Sequence, residues 1–232
     1  MAKFYGIGVG PGDPELLTIK ASRILSQIDV VLLPQTKEGK KGVAYTIIEP
    51  YLKENLEHVY VNFPMVKDES IFIEAGKEAA KEVEKHIGLG KNVAFVTLGD
   101  PSVYSSYGYI IKALSKDMPI ETIPGITSFC ASAAMINQPL VEKDEILSII
   151  PMNATDDKIG KVLEASDAFA FMKIYNRENR VLDHLNTHQI INNSVLIKRC
   201  GFEDSQIDPD IKENILKNKD YLSLVLSRKG CL

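Results

Sequence analysis

Phe4-Tyr5-Gly6-Ile7-Gly8-Val9-Gly10-Pro11-Gly12-Asp13-Pro14 reads as an apolar strand that runs into a glycine-rich turn and then an Asp-Pro pair. The tripeptide Gly-Asp-Pro returns in Val93-Ala94-Phe95-Val96-Thr97-Leu98-Gly99-Asp100-Pro101, again behind an apolar strand. Asp before Pro suits a helix start, because the carboxylate caps backbone N–H groups and Pro presets φ at the first helical position. Strand, glycine turn and helix start, occurring twice, is the pattern of an α/β sheet that binds ligands outside the carboxyl ends of its strands. Capping alone accounts for each Asp. It does not account for four glycines between Gly6 and Gly12, which predict backbone held against a ligand or a neighbouring domain.

The alternation continues along the chain. A helix is predicted over residues 15–28, with Leu17, Ala21, Ile24, Leu25 and Ile28 on one face. A short apolar strand over 29–33 is stopped by Pro34, and a polar loop over 35–42 leads into a helix over 43–52. Residues 59–63 read as strand, 69–87 as a long amphipathic helix, 92–98 as strand, 104–115 as helix, 120–123 as strand and 126–136 as a small-residue helix. Near-continuous apolar strands between helices predict a parallel sheet covered on both faces. The second half differs, with strands at 145–150, 168–174, 195–198 and 221–227 and helices at 155–164, 177–185 and 211–218. Its last strand begins with apolar-polar alternation, which predicts a mixed or antiparallel sheet. The fold class is therefore α/β, in two α/β domains: residues 1–122 with a mainly parallel sheet and the glycine loops, and 123–232 with a mixed sheet. The break falls between 117 and 138.

A chain of 232 residues, 45% hydrophobic and 25% charged, has the composition of an ordinary soluble protein with real cores. No run approaches the roughly 18 apolar residues of a membrane span. The first residues enter a strand with no signal-peptide core, so a cytoplasmic protein with no membrane partner is expected. A net charge of −4 and the absence of Trp argue against a nucleic-acid partner. Cys130, Cys200 and Cys231 share no metal-binding or disulfide spacing. His184 and His188 are four apart, but Leu185 stands where a zincin motif needs Glu, and no protein-bound metal is expected.

Familiar phosphate and nucleophile motifs are missing. A dinucleotide fingerprint begun at Gly6 needs glycine at Pro11, and one begun at Gly8 needs glycine at Asp13. There is no GxxxxGK[ST] and no G-x-S-x-G elbow. Instead, Gly6-Ile7-Gly8-Val9-Gly10-Pro11-Gly12-Asp13-Pro14-Glu15-Leu16-Leu17-Thr18 resembles the N-terminal signature of the tetrapyrrole (corrin/porphyrin) methyltransferase family. Gly99-Asp100-Pro101-Ser102-Val103-Tyr104 resembles its second signature and Ile123-Pro124-Gly125-Ile126-Thr127-Ser128 its third, in family order and spacing over essentially the whole chain. Ser105-Ser106, Phe129, Phe171-Met172-Lys173 and Lys198-Arg199-Cys200-Gly201 are similar to the branch that methylates C-20 of precorrin-2 or its cobalt form. Gly201-Phe202-Glu203-Asp204 departs from that branch, where a small residue and Met-Pro-Asp are expected.

The resemblance implies S-adenosyl-L-methionine as methyl donor in a cleft between two α/β domains, a tetrapyrrole substrate and a homodimer. Carried over by position, donor contacts would come from Pro11, Leu98, Gly99, Asp100, Val103, Thr127 and Ser128, and from Met172 and Gly201 in the second domain. Met172 also reads as a core strand residue and Thr127 as a helix cap. Asp100, Tyr104 and Lys173 are candidates for taking the proton lost from the methylated carbon. The substrate's rim carboxylates need cations. Lys37, Lys40 and Lys41 could supply them, or form a solvated loop, and Lys198 with Arg199 is the competing choice. Within the same resemblance, the alternatives are methylation at another ring carbon, or of ribosomal RNA or a translation factor, or donor sensing without turnover.

Overall fold

A computed structural model describes residues 1–35, 42–63 and 68–230. They fall into two compact units, Met1–Thr127 and Ser128–Leu232.

The first unit runs β1 (Phe4–Gly8), α1 (Ile19–Leu25), β2 (Val30–Gln35), α2 (Val43–Ile48), β3 (Glu57–Asn62), α3 (Glu69–Gly88), β4 (Val93–Thr97), α4 (Tyr107–Ala113) and β5 (Ile120–Ile123). The five strands pair in parallel in the order β3-β2-β4-β1-β5. Alternate side chains feed opposite faces. Ile7, Val31, Leu33, Ala94, Val96 and Ile123 pack with Ala21 and Leu25 of α1 and Ile47 and Ile48 of α2. Phe4, Val30, Leu32, Val93 and Phe95 pack with Ala79 and Val83 of α3 and Tyr107 and Ile110 of α4. This is the doubly covered parallel sheet expected from the apolar strands.

Two helix starts differ from the sequence reading. Asp13 does cap, accepting from Glu15 N–H at 2.8 Å, but it opens only a 3-10 turn over Pro14–Leu16. Leu17 is extended, and α1 begins behind its own cap, Thr18, whose hydroxyl accepts from Ala21 N–H at 3.1 Å. After the second Gly-Asp-Pro no helix forms until Tyr107, because Tyr104 sits at φ +51, outside helical space. Asp13 thus caps a turn shorter than the periodicity suggested, whereas Asp100 caps no helix: it accepts from Ser102 N–H within a turn, and α4 begins later, behind Ser106.

The second unit runs α5 (Ser128–Met135), β6 (Leu147–Pro151), α6 (Asp156–Ala165), β7 (Ala168–Met172), α7 (Glu178–Thr187), β8 (Ser194–Lys198), β9 (Gln206–Asp208), α8 (Ile211–Asn214) and β10 (Ser223–Arg228). Its sheet has the order β6-β7-β10-β8-β9, with β6 and β7 parallel and β10 antiparallel to both β7 and β8. The mixed sheet agrees with the reading of the last strand. The three-residue β9 is absent from the sequence reading, since Gln206-Ile207-Asp208 carries too short a pattern to register. The break between units lies at Thr127/Ser128, five residues beyond the sequence boundary of 122/123. The turn after β5 stays with the first unit because Gly125 N–H donates to Asp100 Oδ2 at 3.0 Å.

Helix packing makes two glycines behave oppositely. A Cβ on Gly76 of α3 would lie 2.7 Å from Cβ and the carbonyl oxygen of Tyr109 in α4, whereas one on Gly160 of α6 meets nothing within 4 Å. Gly76→Ala is expected to destabilise the protein by about 2 kcal/mol through overpacking. Gly160→Ala should stabilise it by up to about 1 kcal/mol through helix propensity. Equilibrium urea denaturation of the two variants reads both signs.

Candidate active site

The three glycine-bearing signatures meet at one edge of the first sheet. β1 lies between β4 and β5, and all three run the same way, so their carboxyl ends deliver Val9–Asp13, Leu98–Tyr104 and Pro124–Thr127 side by side. Gly10 and Gly99 exchange backbone hydrogen bonds, Gly99 N–H to Gly10 O at 2.8 Å and Gly10 N–H to Gly99 O at 3.3 Å. Both adopt left-handed backbone, at φ +78 and +65. A Cβ on Gly8 would stand 2.6 Å from both Gly125 N and Gly99 O, a distance no real side chain tolerates. Gly6 lies directly beneath the Tyr107 ring. Glycine at positions 6 and 8 is thus required by packing within the first unit, which corrects the expectation that these two are held against a ligand or a neighbouring domain.

Asp100 fixes this edge. Its Oδ1 accepts from Ser102 N–H at 2.8 Å and from the Ser102 hydroxyl at 2.5 Å, while Oδ2 accepts from Gly125 N–H. Burial alone would raise its pKa, but the Ser102 hydroxyl and the N–H groups of Ser102 and Gly125 outweigh it and hold the carboxyl below its ordinary value. Asp100 is a firmly ionised, inward-tied group and a poor base. Burial pushes the Tyr104 phenol up, so it too stays protonated. Lys173 is exposed overall, yet desolvation and then the Arg177 guanidinium lower its pKa. Of the three proton-accepting candidates only Lys173 has its neutral form favoured relative to an ordinary side chain of its type.

Pro11, Leu98, Gly99, Asp100, Val103 and Thr127 all sit on this first edge, with Ser128 opening α5 in the second unit. Thr127 Oγ1 is buried with no hydrogen-bond partner. A buried hydroxyl left in that state fits a loop built to receive a polar ligand.

The second unit has a matching edge of its own. Because β10 is antiparallel to β7 and β8, the carboxyl ends of β6, β7 and β8 lie together with the start of β10. Met172 closes β7, and its carbonyl accepts from Met152 N–H at 2.8 Å. Gly201 follows β8 at φ +85, and Arg199, at φ +50, donates its N–H to Leu222 O at 2.7 Å. Arg180, missed by the sequence reading, stitches the turn after β6 by donating to Met152 O at 2.6 Å, Ala154 O at 2.5 Å and Asp156 Oδ1 at 2.6 Å. Burial holds the Cys200 thiol above its usual pKa, as an inert thiol rather than a nucleophile. His184 Nε2 meets Asp156 Oδ1 at 2.9 Å. Among the described residues no three His, Cys, Asp or Glu side chains are grouped to hold a metal ion, and no helix is long and apolar enough to cross a membrane.

The cationic candidates separate. Lys198 pairs with Asp208 at 2.5 Å and Arg199 with Asp204 at 2.7 Å, so both are engaged by neighbouring carboxylates. Lys37, Lys40 and Lys41 lie outside the described residues.

Two sheets, one parallel and one mixed, with glycine-bearing loops at strand carboxyl ends, define a chain of two α/β units. A profile of the Tetrapyrrole (Corrin/Porphyrin) Methylases matches residues 3–210, and the chain belongs to that family. It is 36% identical to a Methanocaldococcus jannaschii protein named probable cobalt-precorrin-2 C(20)-methyltransferase, over 98% of this chain and 96% of that one. It is 30% identical to a precorrin-2 C(20)-methyltransferase of Sinorhizobium sp, over 97% and 95%. In fold it resembles the uroporphyrin-III C-methyl transferase of Thermus thermophilus complexed with S-adenyl homocysteine, with TM-score 0.72, 20% identity and 98% of each chain covered.

The Asp100 network makes a pH-dependent prediction. Asn at this position keeps one acceptor oxygen but turns an amide toward either Ser102 or Gly125, so Asp100→Asn is expected to cost about 1 to 2 kcal/mol at pH 7. A depressed carboxyl contributes stability above its unfolded value and loses it as pH falls through the lower folded value. The stability gap between wild type and Asp100→Asn should therefore be widest near neutrality and narrow below the ordinary value of 3.8. Urea titrations across that range measure it. A gap that grows on acidification contradicts the assignment.

Proposed function

We propose that this chain is an S-adenosyl-L-methionine-dependent methyltransferase acting on C-20 of precorrin-2 or cobalt-precorrin-2 in cobalamin synthesis. The observation that carries this reading is identity of 30% and 36% along nearly the whole chain to proteins named for that reaction. The donor contacts we assign are Pro11, Leu98, Gly99, Asp100, Val103, Thr127 and Ser128, with Met172 and Gly201. The buried Thr127 hydroxyl without a partner supports that assignment.

Bound there, the donor supplies an electrophilic methyl group on a sulfonium. The chain's part is to bind, align and dry the reacting groups. Positive charge passes from sulfur onto the macrocycle and spreads as the carbon–methyl bond forms and the sulfur–methyl bond breaks, and it leaves with the proton of the methylated carbon. An apolar surround therefore favours the dispersed charge of the transition state over the localised sulfonium. Alignment of carbon, methyl and sulfur supplies much of the remaining acceleration. No side-chain nucleophile is needed, in keeping with a protonated Cys200 and the absence of an elbow serine. Asp100 acts by orientation: tied to Ser102 and Gly125, it keeps the loops after β4 and β5 in one register. A cytoplasmic homodimer belongs to the same reading, supported by family resemblance and tested by sedimentation.

The reaction is tested by incubating the purified protein with precorrin-2 and with its cobalt complex, using carbon-labelled donor and NMR of the product. Label at C-20 is the expected result. Label at another ring carbon, or none, overturns the assignment.

A further inference from the structure

We propose that the loop after β7 carries the subsite for a rim carboxylate of the tetrapyrrole, formed by Lys173 and Arg177, with Tyr175 and Tyr221 as its aromatic wall. This inference rests on the substrate class proposed above.

The charges of the second unit single out this loop. Among the described residues, Arg180 pairs with Asp156, Arg199 with Asp204 and Arg228 with Glu142 and Glu145. Arg177 alone of these arginines has no carboxylate partner; its Nη1 donates to the carbonyls of Lys173 and Tyr175 at 3.3 and 3.2 Å. That leaves other guanidinium donors of a five-donor fork for a planar anion. The guanidinium lies against the Lys173 backbone, and burial first and then the Arg177 charge disfavour the Lys173 ammonium. Two cations gathered on one short loop repel each other, and a carboxylate between them relieves that repulsion.

The loop's shape is held rather than relaxed. Lys173 and Asn176 are both left-handed, at φ +58 each, a conformation that non-glycine residues adopt at some cost and keep where surrounding structure enforces it. Arg177 supplies that enforcement through its two carbonyl bonds. The same edge carries an aromatic pair: Tyr175 and Tyr221 meet edge to face with ring centroids 6.0 Å apart. Tyr221 is 58% exposed although it leads directly into the buried strand β10, neighbour of β7. An exposed ring fixed against a second ring offers a flat, amphipathic surface to a flat, carboxylate-rimmed macrocycle. Lys198 and Arg199, further along this edge, pair with Asp208 and Asp204.

The test uses the full chain with cobalt-precorrin-2 as variable substrate, and calorimetric titration of S-adenosyl-homocysteine as an independent readout. Lys173→Gln and Arg177→Gln should each raise KM for the tetrapyrrole roughly tenfold, with kcat changed less and the donor-product Kd within about twofold of wild type. The salt dependence of KM should flatten. Tyr221→Ala should raise KM, and Tyr221→Phe should largely retain wild-type values. Since Arg177 also holds the loop, Lys173→Gln is the decisive variant. An unchanged KM and salt dependence in Lys173→Gln, with homocysteine-product binding and turnover intact, overturns the subsite and leaves the proposed function standing. Failure of the wild type to methylate any tetrapyrrole removes both.

Discussion

One carboxylate, that of Asp100, joins the loop after β4 to the loop after β5 by accepting from Ser102 on one side and Gly125 on the other. The loop after β1 is tied to the same body by the reciprocal backbone bonds of Gly10 and Gly99. The approach is so close that Gly8 has no room for a side chain. Three loops separated by long stretches of chain therefore behave as one surface. Everything assigned to the first edge, including the lone buried hydroxyl of Thr127, depends on their staying in register. The cost of ordering them is offset by charge-assisted hydrogen bonds in a partly desolvated setting, where such bonds are strong.

The second unit solves a similar problem by different means. Its strand-end loops are held by arginines rather than by glycine-to-glycine packing. Arg180 gathers the turn after β6, and Arg177 gathers the loop after β7. Arg199 stacks on Phe202 at 4.7 Å while pairing with Asp204, so the departure at Phe202 from the family pattern is accommodated locally. The chemistry asks for little more than this. Methyl transfer from a sulfonium rewards alignment and dryness, and the chain offers loops tied by hydrogen bonds and a Cys200 thiol kept protonated by burial.

Strands, helices and the family were legible in the residues, because apolar periodicity, Asp-Pro caps and glycine spacing are local signals. The parallel first sheet followed from near-continuous apolar strands, and the mixed second sheet from the alternating start at Tyr221-Leu222-Ser223. The limits were equally physical. β9 is too short to carry a period. The helix read from residue 15 is broken by Thr18, which caps one residue stretch and ends another's claim on it. What the glycines at 6 and 8 press against is invisible along the chain, since Tyr107, Gly99 and Gly125 lie about a hundred residues away.

Charge shows the division most clearly. Residue order alone offered Lys37, Lys40 and Lys41, or Lys198 with Arg199, as cations for the substrate, and did not single out Arg177. Folding brings Asp208 to Lys198 and Asp204 to Arg199, and among the described residues brings no carboxylate to Arg177. Residue types and their short-range spacing set which elements form and which chemistry is available. Which of those groups neutralise one another, and which stay ready for a ligand, is settled by long-range pairing of strands and loops, because electrostatic and packing energies depend on distances that a linear order does not contain.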